Sequence, residues 1–192
     1  MNRARSSLAV TALLATLALA PTASAQHVSA AAMVGYASGD QVQSVGVHGG
    51  YTLPGTPVFL GAAAIYHAGI NSPTDPTTAL SGGPQNLREQ SASFVLEGGW
   101  DFRLVPWRGR ERWTLRPMLG IGFFLNVATT TYASEPKQTD TSVNPLFVIG
   151  GQALFRIIGP LQVGVDLRES VSFIGGTASQ FFAGYGLVGV DF

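Results

Sequence analysis

Cysteine is absent from all 192 residues. That excludes disulfide cross-links, thiolate metal sites and lipid attachment through an N-terminal cysteine. Charge is scarce as well: Asp, Glu, Lys and Arg make up 11% of the chain, against roughly 25% in ordinary soluble domains. No long apolar helix accounts for the deficit. The uncharged apolar run from Leu8 to Ala20 falls short of the about 20 residues that a spanning helix needs. It follows Arg3 and Arg5 and precedes Pro21 and Ala23-Ser24-Ala25, the order of a secretory signal peptide cut after Ala25. Residues 1–25 are therefore set aside and 26–192 are read as one domain. Removing the two leader arginines leaves nine basic and eleven acidic residues, a near-neutral balance that gives no support to nucleic-acid binding. An exported domain of this size without disulfides must find its stability elsewhere.

What the sequence does contain is short apolar stretches rich in Gly, Val and Phe, broken by Pro and polar clusters, which is strand spacing. Period-two segments bounded by turn residues predict eight strands, at about 27–37, 42–53, 58–69, 90–104, 113–127, 144–157, 161–171 and 180–192. Most are longer than the roughly 5–6 residues of a globular strand and reach the roughly 9–11 that cross a bilayer at a tilt. The connections alternate in kind. Pro54-Gly55-Thr56-Pro57, Val105 to Arg112 and Ile158-Gly159-Pro160 are compact, whereas 70–89 and 128–143 are long and polar. Short turns on one side and long loops on the other are the pattern of a transmembrane barrel, with both termini and the short turns on the periplasmic side.

Register gives an independent check, because residues facing each other across a hairpin must share a face. Centring the first short turn between Gly55 and Thr56 pairs Leu53 with Val58, Tyr51 with Leu60, Val47 with Ala64 and Val45 with Tyr66. Centring the third on Gly159 pairs Ile157 with Leu161, Arg156 with Gln162 and Phe155 with Val163. The same parity puts Phe94, Leu96, Trp100 and Phe102 opposite Glu97, Asp101 and Arg103. It turns Leu115, Leu119, Ile121, Phe123 and Leu125 outward with Arg116 and Asn126 inward, and Leu161, Val163, Val165 and Leu167 outward with Asp166 and Arg168 inward. The outward row is bulky and the inward row mixes Gly, Ala and Ser with charges. Such an interior suits an eight-stranded barrel filled by its own side chains, and a lipocalin-like soluble barrel would invert the polarity.

The chain ends Tyr185-Gly186-Leu187-Val188-Gly189-Val190-Asp191-Phe192, an alternating strand closed by an aromatic. This resembles the C-terminal signal of outer-membrane barrels. As a pattern over 26–192, the chain resembles the small barrels similar to the outer-membrane protein A transmembrane domain. The resemblance implies an all-β, eight-stranded, antiparallel up-and-down transmembrane β-barrel in outer-membrane lipid, with Phe192 recognised by the barrel-assembly machinery. Closure would pair the first and eighth strands, since an open edge in lipid leaves backbone groups unsatisfied. Trp100, Trp107, Trp113, Tyr36 and Tyr51 are candidates for interfacial girdles. Trp107 and Trp113 flank the basic turn Arg108 to Arg112.

Parity collects Glu97, Asp101, Asp166 and Asp191 with Arg103, Arg116, Arg156 and Arg168 on the luminal face. Four acids and four bases in a narrow space suggest ion pairs between strands, because unpaired buried charge is costly. Such a plug would stop free conduction. A catalytic set needs a nucleophile, a base and an oxyanion site together. The histidines are His27, His48 and His67, and Ser44 lies inward near His48, but no motif joins them to a carboxylate. Nor does the spacing point to a metal, and the glycine pairs, such as Gly49-Gly50, form no phosphate loop. No cofactor is expected. Three functional readings follow: a non-catalytic barrel serving envelope integrity or surface interaction, with 70–89 and 128–143 available to an extracellular ligand; a narrow channel for small or apolar solutes; and a lipid-A-modifying enzyme.

Overall fold

The computed structural model describes residues 27–38, 42–69, 71–73, 84–104, 113–132, 138–174 and 177–192. The expected signal peptide and the basic turn with Trp107 lie outside the described residues. Strand β1 is His27–Ala37 and β2 is Val42–Thr52. Strand β3 is Val58–His67, continued by Asn71–Pro73, and β4 is Pro84–Trp100, continued by Phe102–Leu104. Then follow β5 (Trp113–Tyr132), β6 (Gln138–Ile158), β7 (Leu161–Ile174) and β8 (Thr177–Asp191). Each pairs antiparallel with its neighbours in the chain. Strands β1 and β8 close the ring, from Ser29↔Asp191 to Ala37↔Ala183. Closure gives every wall strand a partner on both sides, as a lipid environment requires.

The first hairpin has the expected register, with Tyr51↔Leu60, Val47↔Ala64 and Val45↔Tyr66. The Leu53 N–H donates to the Val58 carbonyl at 2.8 Å, and Gly55 supplies the positive φ of 73° that this turn needs. The third turn differs by one residue. Ile158, not Ile157, pairs with Leu161, and a bulge at Ile157 restores Arg156↔Gln162 and Phe155↔Val163. Gly159 at φ 53° makes a tight turn with Pro160, so the extra residue is taken up inside the strand.

The faces sort as parity requires. Leu96, Leu115, Leu119, Ile121, Val165 and Leu167 are exposed on the outside of the barrel, while Glu97, Arg116, Asp166 and Arg168 are buried inside it. A continuous apolar exterior of this extent is a lipid-facing surface. Exposed aromatics gather toward its two ends. Trp100, Phe102 and Trp113 are near the short turns, with Trp113 packed on Phe155 at 4.9 Å, and Tyr36, Tyr66, Phe94 and Phe123 lie toward the other end.

Two expectations need correction. The segments 70–89 and 128–143 are not wholly loop: β4 begins at Pro84, β5 runs to Tyr132 and β6 starts at Gln138. Glu89↔Ala128, Leu87↔Thr130, Ala128↔Asp140 and Thr130↔Gln138 are paired, so β4, β5 and β6 rise past their neighbours as a small sheet. A polar strand with water on both faces needs no alternation, and Thr-rich sequence favours extended backbone. The interior is also not only small and charged. Met33, Ile65, Leu154, Tyr185 and Leu187 form one buried cluster, and Val95, Leu146 and Val148 form another, with Phe124 and Phe181 against it. Side chains fill an eight-stranded lumen, so large apolar residues must stand opposite the glycines and alanines.

Candidate functional site

The inward charges of β4, β5 and β7 meet across the lumen. Arg116 on β5 grips Asp101 with two bonds, Nε to Oδ1 at 2.5 Å and Nη2 to Oδ2 at 3.0 Å, and Thr52 Oγ1 on β2 donates to the same carboxylate at 2.9 Å. The remaining Arg116 nitrogen, Nη1, donates to Gln152 Oε1 on β6 at 3.2 Å, and Gln152 Nε2 donates to Asp166 Oδ2 on β7 at 2.7 Å. Arg168, two residues along and therefore on the same face, grips Asp166 through Nε and Nη2 at 2.7 and 2.8 Å. Its Nη1 reaches across to Glu97 on β4. Glu97 Oε2 accepts in turn from His48 Nε2 on β2 at 3.0 Å. The result is a continuous chain of charge-assisted bonds from β2 and β4 to β7, β6 and β5. Paired, bidentate geometry of this kind is what makes buried charge tolerable.

Small residues make the crossing possible. His48 faces Ala63 on β3, and Glu97 faces Gly61 on the same strand, so His48 and Glu97 meet over the backbone between them. Phe59 lies in the space left by Gly50 and Gly61. A Cβ on Gly50 would sit 2.1 Å from the ring, and one on Gly61 would sit 2.5 Å from it. The ring carries the Arg116 guanidinium on its face at 3.6 Å and stacks on His48 at 5.6 Å. That cation–π contact holds Arg116 over the lumen. Of the Gly49-Gly50 pair, Gly50 is thus used for close packing.

Of the eight charges grouped by parity, five join this network: Glu97, Asp101, Arg116, Asp166 and Arg168. Arg156 and Asp191 form a separate ion pair where β6 and β8 reach the short-turn end, with the arginine side chain 46% exposed. Arg103 is exposed at the same end. These three sit at the rim because each falls within the last turn-proximal residues of its strand. Four partners were not in the charge count: His48, Gln152, Phe59 and Thr52. Gln152 stands in register between Arg116 and Asp166 on its two neighbouring strands, whereas Phe59 on β3 meets Arg116 on β5 only across the lumen.

Nearer the other end, Ser44 Oγ lies 2.8 Å from His67 Nδ1, and His67 Nε2 lies 3.4 Å from Ser93 Oγ. His67 packs against the Phe124 and Phe181 rings. Ser44 therefore pairs with His67 rather than with its sequence neighbour His48, and the carboxylate of Glu97 goes to the other histidine. Serine, histidine and acid are divided between two levels of the lumen, and both Ser44 and His67 are buried. Among the described residues, no group of His, Cys, Asp and Glu has the arrangement of a metal site.

Glu169 was missed by the sequence reading. It follows Arg168, so alternation turns it outward, and it stands between the outward Leu167 and Val171. Its pair partners are Ile149 and Phe182, and Gln180 donates a side-chain bond to it. Two adjacent charges in one strand are a readable signal, since only one can enter the lumen.

No family model matches the chain, and neither does any curated protein sequence. Solved structures do. A major outer membrane protein from Thermus thermophilus superposes with a TM-score of 0.63 at 14% identity, over 88% of this chain and 100% of that one. Neisserial surface protein A superposes with a TM-score of 0.51 at 16% identity, over 87% of this chain and 97% of that one. The fold is that of small bacterial outer-membrane β-barrels, with strands that cross the bilayer.

Proposed function

We propose that this protein is a non-catalytic outer-membrane barrel whose lumen is sealed by its own charges and whose work is done at the outer rim, in envelope integrity or surface interaction. The carrying observation is the bond chain from His48 through Glu97, Arg168, Asp166 and Gln152 to Arg116 and Asp101, which occupies the lumen with satisfied polar groups. Such a scaffold is rigid and has no free charged side chain in the network to offer a passing ion. What it presents instead is the raised ends of β4, β5 and β6, polar and paired beyond the apolar belt. Binding commonly resides on segments carried by a rigid scaffold. An enzyme of lipid A would need its serine, histidine and acid together and in reach of lipid; here they are split and buried.

The test compares a deletion strain complemented with the whole barrel or with a barrel in which residues 128–140 are replaced by a short Gly-containing turn. Loss of detergent resistance or surface adhesion with the shortened barrel, at equal outer-membrane abundance, is the expected result. Full complementation by the shortened barrel would overturn the reading. A lipid A mass profile that changes on deletion and is restored by the whole barrel would favour the enzyme instead.

A further inference from the structure

An acid on the lipid-facing wall is expensive and calls for a partner. Among the described residues, Glu169 has the Gln180 amide and no cationic side chain. It stands inside the apolar band, with Leu167 before it and Val171 and Phe173 after it on the outward face. Along its register row, past Ile149 on β6 and Leu119 on β5 to Gly98 on β4, the wall is concave. Gly98 puts no side chain between Leu96 and Trp100, and a Cβ built there would meet nothing within 4 Å. The resulting groove, about 530 Å³, runs past Leu96, Leu119, Ile121, Phe147 and Ile149 and includes Glu169. Phe147 packs edge-on against Phe173 at 6.1 Å and forms one wall of the groove.

An apolar trough with one carboxylate, Glu169, on the half of β7 away from the Gly159 turn, has the polarity of a lipid: chain below, headgroup above. We infer that the groove binds one lipid of the adjoining leaflet, with an acyl chain along Leu119 and Ile149 and a primary ammonium in the headgroup on the Glu169 carboxylate. The ammonium is selected by charge. A carboxylate only accepts hydrogen bonds, and an ammonium brings both donors and the compensating charge. Gln180 holds the carboxylate toward the rim, where a headgroup lies. This inference rests on the strands' place in a bilayer and is independent of the sealed lumen.

The experiment is native mass spectrometry of the refolded protein released from detergent with phosphatidylethanolamine or phosphatidylcholine of identical chains. A one-to-one adduct is expected that favours phosphatidylethanolamine about tenfold, as a charge-assisted hydrogen bond implies. Glu169→Gln should erase the preference and leave weak, equal adducts. Leu119→Trp, which fills the trough, should remove both. Equal adducts of the two lipids on the unmodified protein, or a preference that survives Glu169→Gln, would overturn the inference. Heat-dependent migration on a denaturing gel, run on every variant, separates loss of the lipid site from loss of the barrel.

Discussion

Replacing Arg168 by Met tests whether the luminal chain carries stability as well as closure. The side chain is 2% exposed and joins two acids, Asp166 by a bidentate grip and Glu97 across the lumen. Methionine matches its length but leaves both carboxylates without their cation. Gln152 still donates to Asp166 and His48 to Glu97, so neither acid is wholly abandoned. Removing one member of a buried ion pair costs about 3–5 kcal/mol. The residual bonds put Arg168→Met at the lower end, about 3 kcal/mol, or a factor of about 150 in the folding equilibrium. Equilibrium urea unfolding in the presence of lipid vesicles, followed by tryptophan fluorescence, reads this as a lowered midpoint at unchanged slope. The triple variant Glu97→Gln, Asp166→Asn, Arg168→Met, which removes charge of both signs, should recover at least half of the loss. A cost below about 1 kcal/mol for the single variant, or no recovery in the triple one, would refute the pairing account.

Three further outcomes follow from the same geometry. Phe59→Ala empties the space between Gly50 and Gly61 and removes the ring under Arg116; a loss of about 3–5 kcal/mol is expected in the same unfolding assay. Leu119→Arg, in the middle of the lipid-facing row, should cost about 2–4 kcal/mol, whereas Thr129→Arg on the raised part of β5 should cost close to none; equal costs would mean that the belt is misplaced. Removing Phe192, the expected assembly signal, should lower the amount of protein reaching the outer membrane in cells while leaving refolding into detergent intact, as read by membrane fractionation and heat-dependent migration.

Alternation carried most of the wall, and the reasons for its failures are specific. Leu161 to Arg168 could be assigned because a side chain in a strand has two options and lipid tolerates only one. Glu169 is outward by the same alternation, but an acid there runs against the apolar row that marks the lipid face. The raised ends of β5 and β6 were illegible because Thr129, Thr130 and Thr131 are all half-buried and show no alternation of exposure. Gln152 lies in register with Arg116 and Asp166, but the contacts across the lumen were illegible for another reason. Glu97 meets His48 from two strands away and Arg168 from the far side of the ring, and hairpin register relates only adjacent strands. That Glu97 and Arg168 both face inward was readable, but that they touch depends on closure and on Gly61 and Ala63 keeping the middle clear. Phe59 and Met33 have inward parity and are buried, and their bulk alone does not say which face they take.

The most direct test of the central claim is electrical. Refolded wild-type protein and Arg168→Met should be compared at equal incorporation in planar bilayers. A lumen filled by the Arg168 and Arg116 bond chain predicts a quiet baseline for the wild type, with discrete openings appearing only when Arg168 is removed. Reproducible, appreciable conductance from the wild-type barrel, unchanged by Arg168→Met, would contradict it.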